Sequence, residues 1–135
     1  MKSALLVCAA WSASMALGCD CVGLSVNEAK KAAEVVFRGT IIDVSAGKVI
    51  FRVDRVWKGN VRPTFDMPEF IEGAACLGFH ERMLKVGSDL LVYATRLHRS
   101  SNDEDYFTSI CTRTNFSSDA GDDLSRLGKG KSPRP

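Results

Sequence analysis

Cysteine carries most of the chemistry that this chain offers. Cys19-Asp20-Cys21 places two thiols one residue apart, and Cys76 and Cys111 stand alone further along. Cys8 is the fifth cysteine. Thiols in such a set serve as disulfides, as metal ligands or as a nucleophile. Cys-x-Cys is not the Cys-x-x-Cys of a zinc knuckle, and no second closely spaced pair completes a site. A cysteine nucleophile needs a free thiol beside a base. The two histidines, His80 and His98, fall in polar stretches with no neighbour at metal-ligand spacing. Disulfides are therefore the expected use, provided that the compartment is oxidising.

The remaining polar groups do not assemble a catalytic pattern. The carboxylates Glu69 with Glu72, Asp103 with Glu104 and Asp105, and Asp122 with Asp123 sit in loops or on a solvated helix face. No Gly-rich phosphate loop, serine-hydrolase elbow or zinc-protease helix motif is present. An enzyme is not expected, nor a cofactor or a metal of its own. Phe51, Trp57, Tyr93 and Phe107 offer faces on which nucleic-acid bases stack. Only 8% of the chain is aromatic, so these rings are expected to fill a core. The net charge of +2 is also too small and too dispersed to point to nucleic acid.

The compartment is read from the start of the chain. Met1 to Gly18 has the form of a secretory signal: Lys2, an apolar run from Ala4 to Trp11, then small residues at Ala16 and Gly18. Cleavage after Gly18 makes Cys19 the first mature residue and removes Cys8. The expected location is secreted or periplasmic. Ala16-Leu17-Gly18-Cys19 also has the outline of a bacterial lipobox, in which Cys19 carries a lipid anchor on its sulfur. Either way no segment is long enough for a transmembrane helix of about 20 apolar residues.

Four cysteines then remain, the even number of a disulfide framework. Cys19 and Cys21 are too close to pair comfortably with each other. Two long-range pairings are left, and the sequence pattern does not choose between them. Each bond closes a loop worth about 4 kcal/mol in the chain-entropy account.

The elements that must position these residues follow from periodicity. The chain has 135 residues and is 45% hydrophobic, which fits one domain over residues 19–128. Ser25 with Glu28 is a capping box that opens a short helix, with Ala29, Ala32, Ala33 and Val36 on its apolar face. Val35 to Val44 is a strand interrupted at Gly39, where a bulge or bend is expected. After a turn at Ser45-Ala46-Gly47, Lys48 to Lys58 alternates, with Val49, Phe51, Val53, Arg55 and Trp57 on one face. These two runs predict a hairpin. Pro63 and Pro68 bracket an edge strand at Thr64–Met67, and Glu69 to Gly78 reads as loop. Leu90 to Ala94 and Tyr106 to Cys111 are the last two strands. Asp119 to Leu127 is a helix stopped by Gly128. Residues 129–135 form a basic tail expected to be disordered. Five strands flanked by a helix at each end predict a mainly β fold and fit a disulfide-stapled antiparallel barrel of the OB type, which the pattern alone does not distinguish from a small sandwich.

The chain resembles the netrin-like module, and within it the N-terminal domain of tissue inhibitors of metalloproteinases, in its short bacterial form. The residues that carry the likeness are Cys19-Asp20-Cys21-Val22, Val35-Val36-Phe37-Arg38-Gly39, and the Phe51 to Gly59 strand ending in Trp57-Lys58-Gly59. Cys76, the Gly87 to Ala94 segment and Ile110-Cys111-Thr112 complete it. The likeness spans nearly all of Cys19 to Gly128. It implies an OB-fold barrel with disulfides Cys19–Cys76 and Cys21–Cys111. It also implies a partner, a zinc metalloprotease, whose catalytic zinc is chelated by the α-amine and carbonyl of Cys19. Asp20 would enter the primed-side pocket, with Cys21 and Val22 as flanking contacts.

Overall fold

The computed structural model describes residues 18–96 and 106–135. The expected signal segment before Gly18, with His98, Asp103, Glu104 and Asp105, lies outside the described residues. Helix α1 (Val26–Ala32) starts where the capping box places it. The Ser25 N–H donates to the Glu28 carboxylate at 2.8 Å, and Ser25 Oγ accepts from the Glu28 N–H at 3.2 Å. The Ser25 N–H also holds the Glu28 carboxyl below the usual range. Val26, Ala29 and Ala33 are buried, but Ala32 faces water, so the apolar face is narrower than the pattern suggests.

Strands β1 (Val35–Ser45) and β2 (Lys48–Lys58) form the expected hairpin. Ser45 pairs with Lys48, and the two turn residues Ala46 and Gly47 have φ of 51° and 75°. Positive φ at both positions matches the right-handed twist of the flanking strands. The register slips three times. One slip lies between Arg38 and Gly39, which pair with Arg55 and Val53 and leave Asp54 unpaired. A Cβ at Gly39 would stand 3.0 Å from the Arg52 carbonyl oxygen, a tight contact that glycine avoids. The extra residue also inverts the faces beyond it. Val56 is therefore the buried residue there, and the expected inward Arg55 is exposed.

The main sheet has six strands. β3 (Thr64–Pro68) pairs with β2, and β6 (Asp89–Arg96) pairs with β1, all antiparallel. Two short strands, β7 (Tyr106–Phe107) and β8 (Asn115–Phe116), both pair with β6. The predicted final strand to Cys111 thus ends at Phe107, and Cys111 lies in a turn. Glu69 to Gly78 is not a loop either. It holds a two-stranded hairpin, β4 (Phe70–Ile71) and β5 (Ala74–Gly78), turned at Glu72-Gly73. Helix α2 (Gly121–Leu127) closes the chain and stops at Gly128, with φ of 78°. The fold is mainly β with two helices, but its sheet is not closed into the expected barrel. Among the described residues no hydrogen-bonded pairing joins β3 to β7. These two edges meet only through side chains, with the Phe65 and Tyr106 rings 5.4 Å apart.

The core lies on both faces of the curled sheet. One face packs Phe37, Ile41, Val49, Phe51, Met67 and Val92 together. The other packs Val36, Leu91 and Tyr93 beneath Ala29 of α1 and Ala120 before α2. Phe51 and Tyr93 are fully buried, as expected of core rings, while Trp57 and Phe107 are half-buried.

The tail departs from expectation. Val56 and Lys131 exchange both backbone hydrogen bonds, at 2.8 and 2.7 Å, and the Arg134 N–H donates to the Val61 carbonyl at 3.1 Å. β3 pairs with Lys48 to Arg52 of β2 and the Val53 N–H donates to the Pro63 carbonyl at 2.8 Å, so the edge is open beyond Val53 and the tail covers part of it. Trp57 Nε1 fixes the approach by donating to the Gly128 carbonyl at 2.8 Å.

Gly59 marks where β2 passes the start of β1. Its φ is 81°, and a Cβ there would come within 2.6 Å of Val35 Cγ1 and 2.7 Å of the Glu34 carbonyl oxygen. Gly47 has φ of 75° and open space around it. Gly47→Ala should cost about 1 kcal/mol from backbone strain alone. Gly59→Ala adds a clash and should cost roughly 3 kcal/mol. Urea unfolding of the two variants checks the order; equal costs would mean that the Gly59 contact is soft.

Candidate functional site: the pinned arm

Residues 18–25 form no helix or strand. They are held as an arm by two disulfides, Cys19–Cys76 and Cys21–Cys111, with Cα separations of 5.7 and 5.0 Å. The two anchors belong to one small layer. The Gly78 N–H donates to the Thr108 carbonyl at 2.8 Å, and the Ile110 N–H to the Cys76 carbonyl at 3.1 Å. β5 and the 108–111 segment therefore lie side by side, and the arm is bonded to each. Disulfides form and persist in an oxidising compartment, which places this fold there.

Between and after the bonds the arm faces outward. Asp20 is exposed, and Val22 is 79% exposed. Ile110, beside Cys111, is also exposed. The structure thus brings Cys19, Asp20, Cys21, Val22, Cys76 and Cys111 into one region. His80 is exposed at the start of a short 3-10 turn, Glu81–Met83. Glu69 and Glu72 flank the β4 hairpin strand, Glu69 half-buried and Glu72 exposed. Among the described residues no group of three or more His, Cys, Asp or Glu is placed to hold a metal ion. No helix among them is long and apolar enough to cross a membrane.

A second device, absent from the sequence reading, holds the arm where it rejoins the body. Arg113 Nη1 donates to the Leu24 carbonyl at 2.9 Å. Its Nε and Nη2 donate to Asp123 at 2.8 and 2.6 Å. The Tyr93 hydroxyl donates to the same carboxylate at 2.7 Å. Asp123 is only 5% exposed, so its expected place on a solvated face is wrong. The spacing was a usable signal: Ala120, Asp123, Leu124 and Leu127 fall at i, i+3, i+4 and i+7, one helix stripe. Burial pushes the Asp123 carboxyl up, but the hydrogen bonds from Arg113 and Tyr93 outweigh it and leave it below the usual range. Burial and the adjacent Asp123 push the Tyr93 hydroxyl well up, so it stays a donor.

Threonines complete the join. On the edge of β6 away from β1, neither β7 nor β8 reaches Tyr93, yet its backbone is satisfied there. Thr114 Oγ1 accepts from the Tyr93 N–H at 2.9 Å, and Thr108 Oγ1 donates to the Tyr93 carbonyl at 2.8 Å. Hydroxyls replace a missing ladder step, as buried backbone groups require. Of these groups, Arg113, Thr114 and Asp123 line a cleft of about 370 Å³ between the arm and the 110–115 segment.

Comparison of the chain with family models, with curated proteins and with solved structures gives no match.

The Asp123 carboxyl has a lower pKa in the folded chain than its ordinary 3.8. Its contribution is therefore complete above that value and is lost as pH falls through the lower folded value. Asp89 behaves alike, held down by Arg38 in a bond of 2.6 Å. Asp123→Asn should cost about 3 kcal/mol at neutral pH, since it leaves Arg113 without its charge partner. It should also flatten the loss of stability below pH 4, measured by thermal unfolding across pH. An unchanged acid limb would remove Asp123 as its source.

Proposed function

We propose that this chain is an exported metalloendopeptidase-inhibitor-like protein that acts through Cys19. The observation that carries the proposal is the pair of bonds on either side of Asp20, Cys19 to Cys76 and Cys21 to Cys111. This is the pairing that the resemblance to the netrin-like module implies. The same resemblance supports taking the curled sheet as a variant of the OB barrel, its edges joined by the Phe65–Tyr106 contact.

The mechanism needs Cys19 as the chain terminus, after removal of residues 1–18. A catalytic zinc keeps one position open. An α-amine has a reference pKa of about 7.7–8.0, so its neutral, ligating form is accessible near neutral pH. Bonds at the first and third mature residues hold the amine and the Cys19 carbonyl in place, which lowers the ordering cost of binding. The outward Asp20 would then enter the pocket beside the zinc, flanked by Cys21 and Val22.

Asp20 also favours a second reading. A carboxylate entering an apolar pocket loses its hydration without gaining a partner. A netrin-like binding module with no inhibitory action avoids that cost. A lipid on Cys19 would fit such a module, but acylation and the Cys19–Cys76 bond use the same sulfur and exclude each other.

The test compares protein beginning at Cys19 with protein carrying one additional alanine before it, against a panel of zinc metalloendopeptidases. The form starting at Cys19 should inhibit, and the extended form should be weaker by roughly a hundredfold or more, about 2.8 kcal/mol of lost chelation. Equal inhibition by both would end the chelation mechanism. Inhibition by neither would favour the binding module.

A further inference from the structure

A second site lies away from the arm, in a groove of about 440 Å³ where the C-terminal tail crosses the end of β2. It shares no lining residue with the cleft beside the arm. Four cations converge on it from three parts of the chain: Lys30 from α1, Lys58 from β2, and Lys131 and Arg134 from the tail. No carboxylate lines it. Among the described residues none of the four is ion-paired, although Arg38, Lys48, Arg96, Arg113 and Arg126 all are.

The cations are gathered by the fold. Lys131 is set by its two backbone bonds to Val56, and Arg134 by its bond to Val61. Lys58 Nζ donates to the Lys30 and Lys31 carbonyls at 2.8 and 3.2 Å, which leaves one of its three donors unused. Folding a basic tail back onto two further lysines concentrates like charge, which is unfavourable unless an anion offsets it. The half-buried Trp57 and the exposed Asn60 also line the groove. The volume falls in the range of small-molecule sites.

We propose that this groove binds a small phosphomonoester, with the cations on the phosphate and Trp57 against the organic part. Convergent cations suit a compact dianion, and Arg134 offers paired donors to two phosphate oxygens. Indole faces suit a flat or sugar-like body.

Trp57 reports on the site, because Trp11 is the only other tryptophan and falls within the expected leader. Protein starting at Cys19 is titrated with glucose 6-phosphate, with glucose and with inorganic phosphate, following indole emission. Glucose 6-phosphate should give a saturable change, glucose none, and inorganic phosphate should compete. Lys131→Gln with Arg134→Gln should weaken binding by roughly tenfold or more, while Lys131→Arg with Arg134→Lys should retain most of it. Thermal unfolding of each variant shows that the tail still packs. No saturable change below about 10 mM, a range in which even weak specific sites fill, would overturn the proposal. So would equal binding by the Gln double variant. Binding of a sulfated polysaccharide without glucose 6-phosphate would make the groove a polyanion surface and contradict it equally.

Discussion

The constraint on which this structure depends is the attachment of residues 19 and 21 to two neighbouring segments. Cys76 and Cys111 are far apart in sequence, but backbone bonds from Gly78 and Ile110 make β5 and the 108–111 segment adjacent. The bonds span separations of 57 and 90 residues. In the chain-entropy account they contribute about 4 to 5 kcal/mol each, an appreciable share for a domain of this size. The arm has little else to hold it. Leu24 packs against the core and its carbonyl meets Arg113, while Asp20, Cys21, Val22 and Gly23 all face outward.

The arm is therefore held by covalent bonds and by Arg113, whose guanidinium pairs with the buried Asp123, while its own side chains remain exposed. Arg113 connects the arm to Asp123 and Tyr93, which sit against the β6 face of the core. Displacing the arm would leave the guanidinium short of a carbonyl. Displacing Arg113 would leave Asp123 buried without its main charge partner, the costlier outcome. The arm and the helical side of the sheet thus share one hydrogen-bonded network. The groove around Trp57 is built independently, by the tail completing an edge that β3 leaves open.

Much of this was legible where the signal is local. The Ser25–Glu28 capping box, the Ala46-Gly47 turn and the bulge at Gly39 are each written in neighbouring residues, and α1, β1 and β2 follow from them. Simple alternation points Arg55 and Trp57 inward beyond Val53, but the bulge at Asp54 inverts the faces without a mark in composition. The β4–β5 hairpin escaped because Phe70–Ile71 is too short to show a period, though Gly73, with φ of 78°, was a turn signal. The tail reads as disordered because it is basic and rich in proline and glycine. Its order comes from backbone pairing with Val56 and from the Trp57 indole, neither of which the tail's own sequence records. The cysteines identified the site region, but Arg113, Asp123 and the threonines that hold it are tertiary partners.

The central claim is that the chain matures at Cys19 with a free amine held by two disulfides. The most direct measurement is the intact mass of the exported protein, before and after reduction. The account predicts a mass that begins at Cys19, carries no modification, and rises on reduction by two hydrogens for each of the two bonds. A mass raised by acyl chains, or one that begins before Cys19, would contradict it.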